Sequence, residues 1–371
     1  MADRLVILHS ESSTAWGGQE IRILTEAAGL RERGHEVSIL CQPDSMLAAR
    51  AREAALPLLL ERMPFAHDPR TILRMLRRFR RWRPQVVVSH SSVDSWCAGI
   101  AARMLRIPVV RVRHLSVPIG RHPASRFVYR RLCDAVITTG EAIRGHLIQG
   151  VGLPPAKVLS IPTGIDTARF DPRKADGRRV RKALAIPPDA PLAGIVAVLR
   201  DWKGHQVFLK AMVQVRQHLP TARALVVGEG PQRRNIERRR RELGLEAAVI
   251  LTGHREDIPD LLASLDVVVS ASTGAEGVPQ VLLQALAMER PVVATAVGAV
   301  PEIILDGETG RLVPPGDPSR LAEAMTEALR DPAALRPQAL AGARWVREQW
   351  DVGRMLDAVE RVYAGVAIPR W

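Results

Sequence analysis

Two doubly wound α/β domains, each a parallel sheet wrapped by helices, are the fold class this chain predicts. Short β-branched runs alternate with helical patterns, in two rounds separated by a polar, proline-containing stretch. The 371 residues suit two domains of about 100 to 200 residues each. With 47% hydrophobic but only 4% aromatic residues, the cores have to be aliphatic, which fits helices packed on parallel strands.

The first round comprises RLVILHS, EVSIL, VVVSH, PVVRVRH, AVITT and VLSIP, spaced by helical patterns such as GQEIRILTEAAGLRERG and DSWCAGIAARML. After the polar stretch from about Asp166 to Pro191, the second round runs AGIVAVL, ARALVVGEG, VILTG, VVVSAS and PVVATAV. The expected division is a first domain over 1–175, a second over 176–350 and a C-terminal helix over 351–371 that packs back on the first. The tail from Asp331 to Tyr363 reads as helix throughout, with Trp345, Trp350 and Tyr363 as anchors. Ligands of parallel sheets bind beyond the carboxyl ends of the strands, and two such domains facing each other leave a cleft there.

Cys41, Cys97 and Cys133 are odd in number and lack a C-x-x-C spacing, so neither a disulfide framework nor a zinc site is expected. The N-terminal apolar run is too short for a secretory leader, and no segment approaches the roughly 20 apolar residues of a membrane span. A cytoplasmic location is expected.

Several strand ends carry chemistry. Gly17 and Gly18 precede the first helical pattern, where glycines and a helix N-terminus together favour a phosphate. Neither this pair nor GEGPQR, which begins at Gly228, fits G-x-G-x-x-G, so a nicotinamide or flavin is disfavoured. In RDWKGH, Arg200 and Lys203 stand between a strand and a helix, placed to neutralise a departing diphosphate. His114 closes VVRVRH. In TGAEGVPQVLLQ, Glu276 is expected at the mouth of a helix with Pro279 at its first position and Gln284 two turns in. Carboxylates and amides so placed suit sugar hydroxyls. No D-x-D pair is present to hold a metal for a nucleoside diphosphate, so cations and helix ends are expected to replace one.

These segments together resemble the retaining glycosyltransferases of the glycogen-synthase-like family, glycosyltransferase family 4, with the GT-B fold. The resemblance runs through the Gly17–Gly18 loop, His114, IPTGID, RDWKGH, VVGEGP and, most specifically, SASTGAEGVPQVLLQALAMERPVVATAVGAVPEIILDGETGRLVPPGD. It implies a C-terminal domain that binds a nucleoside-diphosphate sugar and an N-terminal domain that receives the acceptor, with no cofactor or metal. Arg200 and Lys203 would contact the donor diphosphate, with Gly17, Gly18 and Gly228 beside it, and His114 would lie near the transferred sugar. Glu276 would hold sugar hydroxyls, helped by the backbone that follows it at Gly277, Val278 and Gln280. Gln284 stands where the family's second glutamate holds the ribose. Thr163 replaces a frequent asparagine, and Pro279 removes one N–H from the sugar-facing turn.

The charge is uneven. Residues 1–175 hold 27 Lys and Arg against 15 Asp and Glu, leaving +12 of the total +14 in the first domain. In DPRTILRMLRRFRRWRP, Ile72, Leu76, Phe79 and Arg83 follow one stripe, while Arg70, Arg74, Arg77, Arg78 and Arg81 gather opposite. That pattern fits a helix at an anionic membrane surface, or one packed on the sheet with solvated arginines outside. Arg121, Arg126, Arg130 and Arg131 add to it, so the expected partner is an anionic lipid or glycolipid acceptor, with the protein peripheral on the cytoplasmic membrane. A nucleic-acid-binding alternative lacks any recognised module. A GT-B epimerase or hydrolase of sugar nucleotides is the nearer alternative to transfer into lipopolysaccharide or another envelope polysaccharide.

Overall fold

The computed structural model describes residues 4–114, 119, 123–274 and 276–367, and Arg121 lies outside them. The chain divides into two compact units, one formed by Met1–Thr163 with Gly353–Trp371, the other by Gly164–Val352.

In the first unit the strands are β1 (Val6–Glu11), β2 (Glu36–Cys41), β3 (Leu58–Leu60), β4 (Val86–Ser89), β5 (Val109–Arg113), β6 (Ala135–Thr138) and β7 (Val158–Ser160). They form one sheet in the order β3-β2-β1-β4-β5-β6-β7, every pair parallel. Helices α1 (Gly18–Glu32), α2 (Met46–Glu53), α3 (Pro69–Trp82), α4 (Ser92–Met104), α5 (Pro123–Phe127) and α6 (Glu141–His146) provide the crossovers. Parallel strands need such crossovers, and burial on both faces explains why their sequences are continuous Val and Ile runs. One core gathers Leu8, Met75, Phe79, Val87, Ala98 and Tyr129.

The second unit holds α7 (Gly177–Ala183), β8 (Leu192–Val196), α8 (His205–His218), β9 (Arg223–Val227), α9 (Arg233–Glu242), β10 (Val249–Gly253), α10 (Ile258–Ser264) and β11 (Val267–Ser270). It continues with α11 (Gln280–Ala287), β12 (Val292–Thr295), α12 (Val300–Ile303), β13 (Arg311–Val313), α13 (Pro318–Arg330) and α14 (Arg336–Gln349). The sheet order is β10-β9-β8-β11-β12-β13, again all parallel. One face packs Phe208, Met212 and Met325, the other Leu262, Leu283 and Trp350.

Three local expectations change. The tail is not one helix: α14 ends at Gln349 and α15 (Val352–Val366) follows. Between them Ile165 donates to the Trp350 carbonyl at 2.8 Å and accepts from Val352 N–H at 3.0 Å, and this bridge holds Asp351 out of helical conformation. Phe170 and Ala175 join the second unit's core, so the polar stretch after Gly164 packs with the second unit. The inward stripe of α3 is Thr71, Met75, Leu76 and Phe79; Ile72 is only half-buried and Arg83 is the C-cap, with φ 53°.

Helix α15 belongs to the first unit. Leu356 packs against Gly29, where a Cβ would meet its Cδ1 at 2.4 Å. Arg33 reaches Asp357 at 2.7 Å and Glu360 at 2.9 Å. Buried Tyr363 donates its hydroxyl to Glu26.

Candidate functional site

Each sheet reverses its winding direction at one place, between β1 and β4 in the first unit and between β8 and β11 in the second. Open α/β sheets bind ligands outside such switch points because the flanking crossovers leave in opposite directions.

In the second unit, the β8 end leads to a single 3-10 turn, Asp201–Lys203, closed by Gly204 at φ 70°. A Cβ at Gly204 would sit 1.7 Å from the Ala271 carbonyl oxygen, so only glycine lets this turn lie against the β11 end. Thr273 N–H donates to the Trp202 carbonyl at 2.8 Å and fastens the same contact. Lys203 Nζ thereby comes 2.7 Å from Glu276 Oε1, which also accepts the Ser272 hydroxyl at 2.6 Å. Ser272 is held by Thr295, whose hydroxyl donates to the Ser272 carbonyl at 2.6 Å. The Glu276 carbonyl presses on Gly298, at φ 54°, where a Cβ would lie 2.1 Å away.

Glu276 is 4% exposed, and pairing with Lys203 is what makes its burial tolerable. Arg200 lies over the Trp202 ring at 5.1 Å, and among the described residues no carboxylate pairs with it. The result is a guanidinium with no carboxylate partner among the described residues, next in the chain to an ammonium–carboxylate pair beyond the β8 end. That combination suits a ligand carrying both anionic oxygens and hydroxyls. His205, at the start of α8, is pushed down to about 4 by burial and by the Lys203 charge, so it adds no positive charge here at neutral pH.

Helix α11 begins at Gln280, and Pro279, with ψ 110°, is its extended N-cap. Glu276 therefore lies before the helix, at its mouth, and Pro279 is the N-cap, one residue ahead of the expected first helical position. Proline without an N–H, preceded by a buried turn at Glu276 and Gly277, keeps this segment extended. Gln284 is half-buried within α11, and Val278 packs on the core below it. Gly228, at φ 133°, touches the Ala197 carbonyl oxygen, where a Cβ would lie 2.1 Å away, so the β9 end closes on the β8 end.

In the first unit, Gly17 is extended (φ −170°) and caps α1, which starts at Gly18. Beside them Glu11 accepts Ser13 N–H at 2.6 Å and the Gln19 amide at 2.5 Å. Asp94 caps α4, accepting from His90 and Ser91 N–H, each at 2.9 Å. Burial, with hydrogen bonds opposing it, raises the Glu11 carboxyl to about 7, and burial with the Glu11 charge raises Asp94 well above the carboxylate range. His114 is joined to His90, whose Nδ1 lies 3.1 Å from His114 Nε2. The sequence reading missed Glu11, Asp94, His9 and His90. A histidine in each of VILHS, VVVSH and RVRH was the available signal.

Helix α3 ties Arg74 and Arg78 to Glu61, at 2.6 and 3.2 Å, while Arg70, Arg77 and Arg81 are exposed. The Glu61 carboxylate is buried and recruits the two arginines nearest it.

Residues 16–169 match the family model for Glycosyltransferase Family 4, and residues 190–331 match Glycosyl transferases group 1. The chain belongs to the family 4 glycosyltransferases. This family 4 glycosyltransferase is 29% identical, over 72% of its length and 75% of the relative's, to a GDP-mannose-dependent alpha-(1-6)-phosphatidylinositol monomannoside mannosyltransferase of Mycolicibacterium smegmatis. It is 29% identical, over 73% and 77%, to the lipopolysaccharide core biosynthesis mannosyltransferase LpsB of Rhizobium meliloti. A crystal structure of Anabaena HepE with UDP and glucose shares its GT-B fold, with a TM-score of 0.87, 21% identity and coverage of 98% and 100%. The three cysteines of this family 4 glycosyltransferase are free and buried. Among its described residues no helix is long and apolar enough to cross a membrane.

Proposed function

We propose that this family 4 glycosyltransferase transfers a sugar with retention of anomeric configuration from a nucleoside-diphosphate sugar to a glycolipid or polysaccharide acceptor of the cell envelope. The observation that carries this is the Arg200–Lys203 turn locked against Ser272 and Glu276 at the β8/β11 switch point. Arg200 and Lys203 meet the donor diphosphate, and Lys203 exchanges part of its contact with Glu276 for phosphate oxygens. Glu276 then accepts hydroxyls of the sugar, next to the backbone of Gly277, Val278 and Gln280, and Gln284 takes a ribose hydroxyl. As the glycosidic bond lengthens, negative charge grows on the leaving phosphate, and two fixed cations stabilise that charge more than they stabilise the ground state. The acceptor hydroxyl attacks from the face the phosphate leaves, and the phosphate takes its proton. The cations supply what a metal would, so turnover is expected to persist in chelator.

The acceptor reading draws on the relatives that act on phosphatidylinositol mannoside and on lipopolysaccharide core. It also draws on the surface of the first unit. Exposed Phe65, Leu73 and Phe127, at 57%, 49% and 45%, accompany Arg70, Arg77 and Arg81, which is the mix of apolar bulk and cations that anionic lipid attracts. NMR of the product formed from a labelled donor tests the central step. Retention is expected, and an inverted anomer would reject the mechanism. Flotation with vesicles containing anionic lipid is expected to show binding that weakens as salt rises.

A further inference from the structure

Three neighbouring strands of the first sheet present histidines at their carboxyl ends: His9 near the end of β1, His90 just after β4 and His114 just after β5. Nδ1 of His9 lies 3.1 Å from Nε2 of His90, and Nδ1 of His90 lies 3.1 Å from Nε2 of His114. The rings stack with centroids 5.4 Å apart in both steps. At the inner end, Nε2 of His9 faces Glu26 Oε1 at 3.9 Å. Glu26 is fully buried, accepts the Tyr363 hydroxyl and faces Arg22 Nε at 3.4 Å. Arg22 is anchored in turn by the Ile161 carbonyl at 2.8 Å. Nδ1 of His114, at the outer end, is hydrogen-bonded to none of the described residues.

Burial holds all three rings neutral, and the Arg22 charge pushes each the same way, with Arg111 acting also on His90 and His114 and Arg113 on His114; only Glu26 opposes, at His9. Each neutral imidazole carries one proton, and each N···N contact holds one. The chain therefore has two concerted arrangements. Either every ring is protonated on Nε2, with the His9 N–H facing Glu26 across 3.9 Å, an electrostatic contact longer than a hydrogen bond, or every ring is protonated on Nδ1, with His9 presenting a lone pair to that carboxylate. A lone pair facing a buried carboxylate is repelled, and an N–H is attracted.

We propose that His9 and His90 are positioning residues that connect the Glu26 carboxylate to His114, fixing all three rings as Nε2-protonated tautomers. His114 then offers Nδ1 as an acceptor to a hydroxyl of a bound sugar. This last step rests on the sugar-nucleotide reading of the protein, whereas the tautomer does not.

The test is 15N NMR of protein labelled at histidine, with the His114 signals assigned by their loss in His114→Gln. In the wild type, Nδ1 of His114 is expected to be unprotonated. In Glu26→Gln, whose amide can present either an oxygen or an N–H to His9, the signal is expected to move toward the Nδ1-protonated form. A protonated Nδ1 in the wild type, or a tautomer indifferent to Glu26→Gln, would overturn the relay. Should Glu26→Gln fail to fold, His9→Asn cuts the chain at the same end and is read in the same way. For the last step, His90→Asn is expected to lower kcat of sugar transfer about tenfold, with donor KM within about twofold. An unchanged kcat would reject that step while leaving the tautomer result standing. A protein that turns over no sugar nucleotide, yet shows the expected tautomers, would reject the functional reading and keep the relay.

Discussion

The two units place chemistry at the same topological position by different means. In the second unit the switch point is built from backbone. Gly204, Gly228 and Gly298 adopt positive φ, and each leaves a carbonyl oxygen of a neighbouring segment where a Cβ would be, at 1.7, 2.1 and 2.1 Å. In the first unit the strand ends are built from side chains: the buried carboxyls of Glu11 and Asp94 and a ladder of buried His9 and His90 ending at half-buried His114. A backbone-built pocket suits a fixed, repeated ligand element such as a diphosphate. A side-chain-built one can be retuned by substitution, which suits the unit expected to receive the variable acceptor.

The largest expected effect breaks the backbone side of this contrast. Gly204→Ala drives a methyl into the Ala271 carbonyl and is expected to cost about 3 kcal/mol or more in urea unfolding, while also abolishing nucleotide binding. Gly34→Ala in the first unit has comparable strain, at φ 93°, but nothing within 4 Å, and is expected to cost only about 1 kcal/mol. Equal costs would remove the distinction between close approach and simple strain.

The next prediction probes the side-chain side. The folded Glu11 carboxyl, at about 7, lies above its ordinary value of 4.5, so the stability it confers is full below pH 4.5 and is lost as pH rises through 7. Glu11→Gln removes that loss. Its Tm is expected to exceed the wild-type Tm by about 5 °C at pH 8 and to match it near pH 4.5. A difference independent of pH would show that Glu11 is not carrying a raised carboxyl.

The smallest effect concerns the ribose contact. A charged acceptor at Gln284→Glu is expected to tighten donor binding about fivefold, or ~1 kcal/mol, in calorimetry. A large loss would remove the ribose role from this position.

Much of the fold was legible because parallel strands, buried on both faces, announce themselves as Val and Ile runs. The strands that escaped, β3 (LLL) and β13 (RLV), are three-residue edge strands, and of the equally short edge strands only β7, within VLSIP, was legible. The break between α14 and α15 escaped because its cause is a bridge to Ile165, far away in sequence. Arg200, Lys203 and Glu276 were legible as strand-end residues. Their convergence depends on Gly204 and Gly298, whose close contacts no local pattern reveals. The histidine ladder was legible only in pieces, since the strand order β1-β4-β5 is what makes three separate strand-end histidines neighbours.

The central claim is that Arg200 and Lys203 form a diphosphate site in the second unit. The most direct measurement is calorimetric titration of UDP, GDP, ADP and CMP, without added metal, into the wild type, Arg200→Ala and Lys203→Ala. The account predicts selective binding of one diphosphate by the wild type and at least about tenfold weaker binding by each variant. No binding to the wild type, or equal binding by all three proteins, would contradict it.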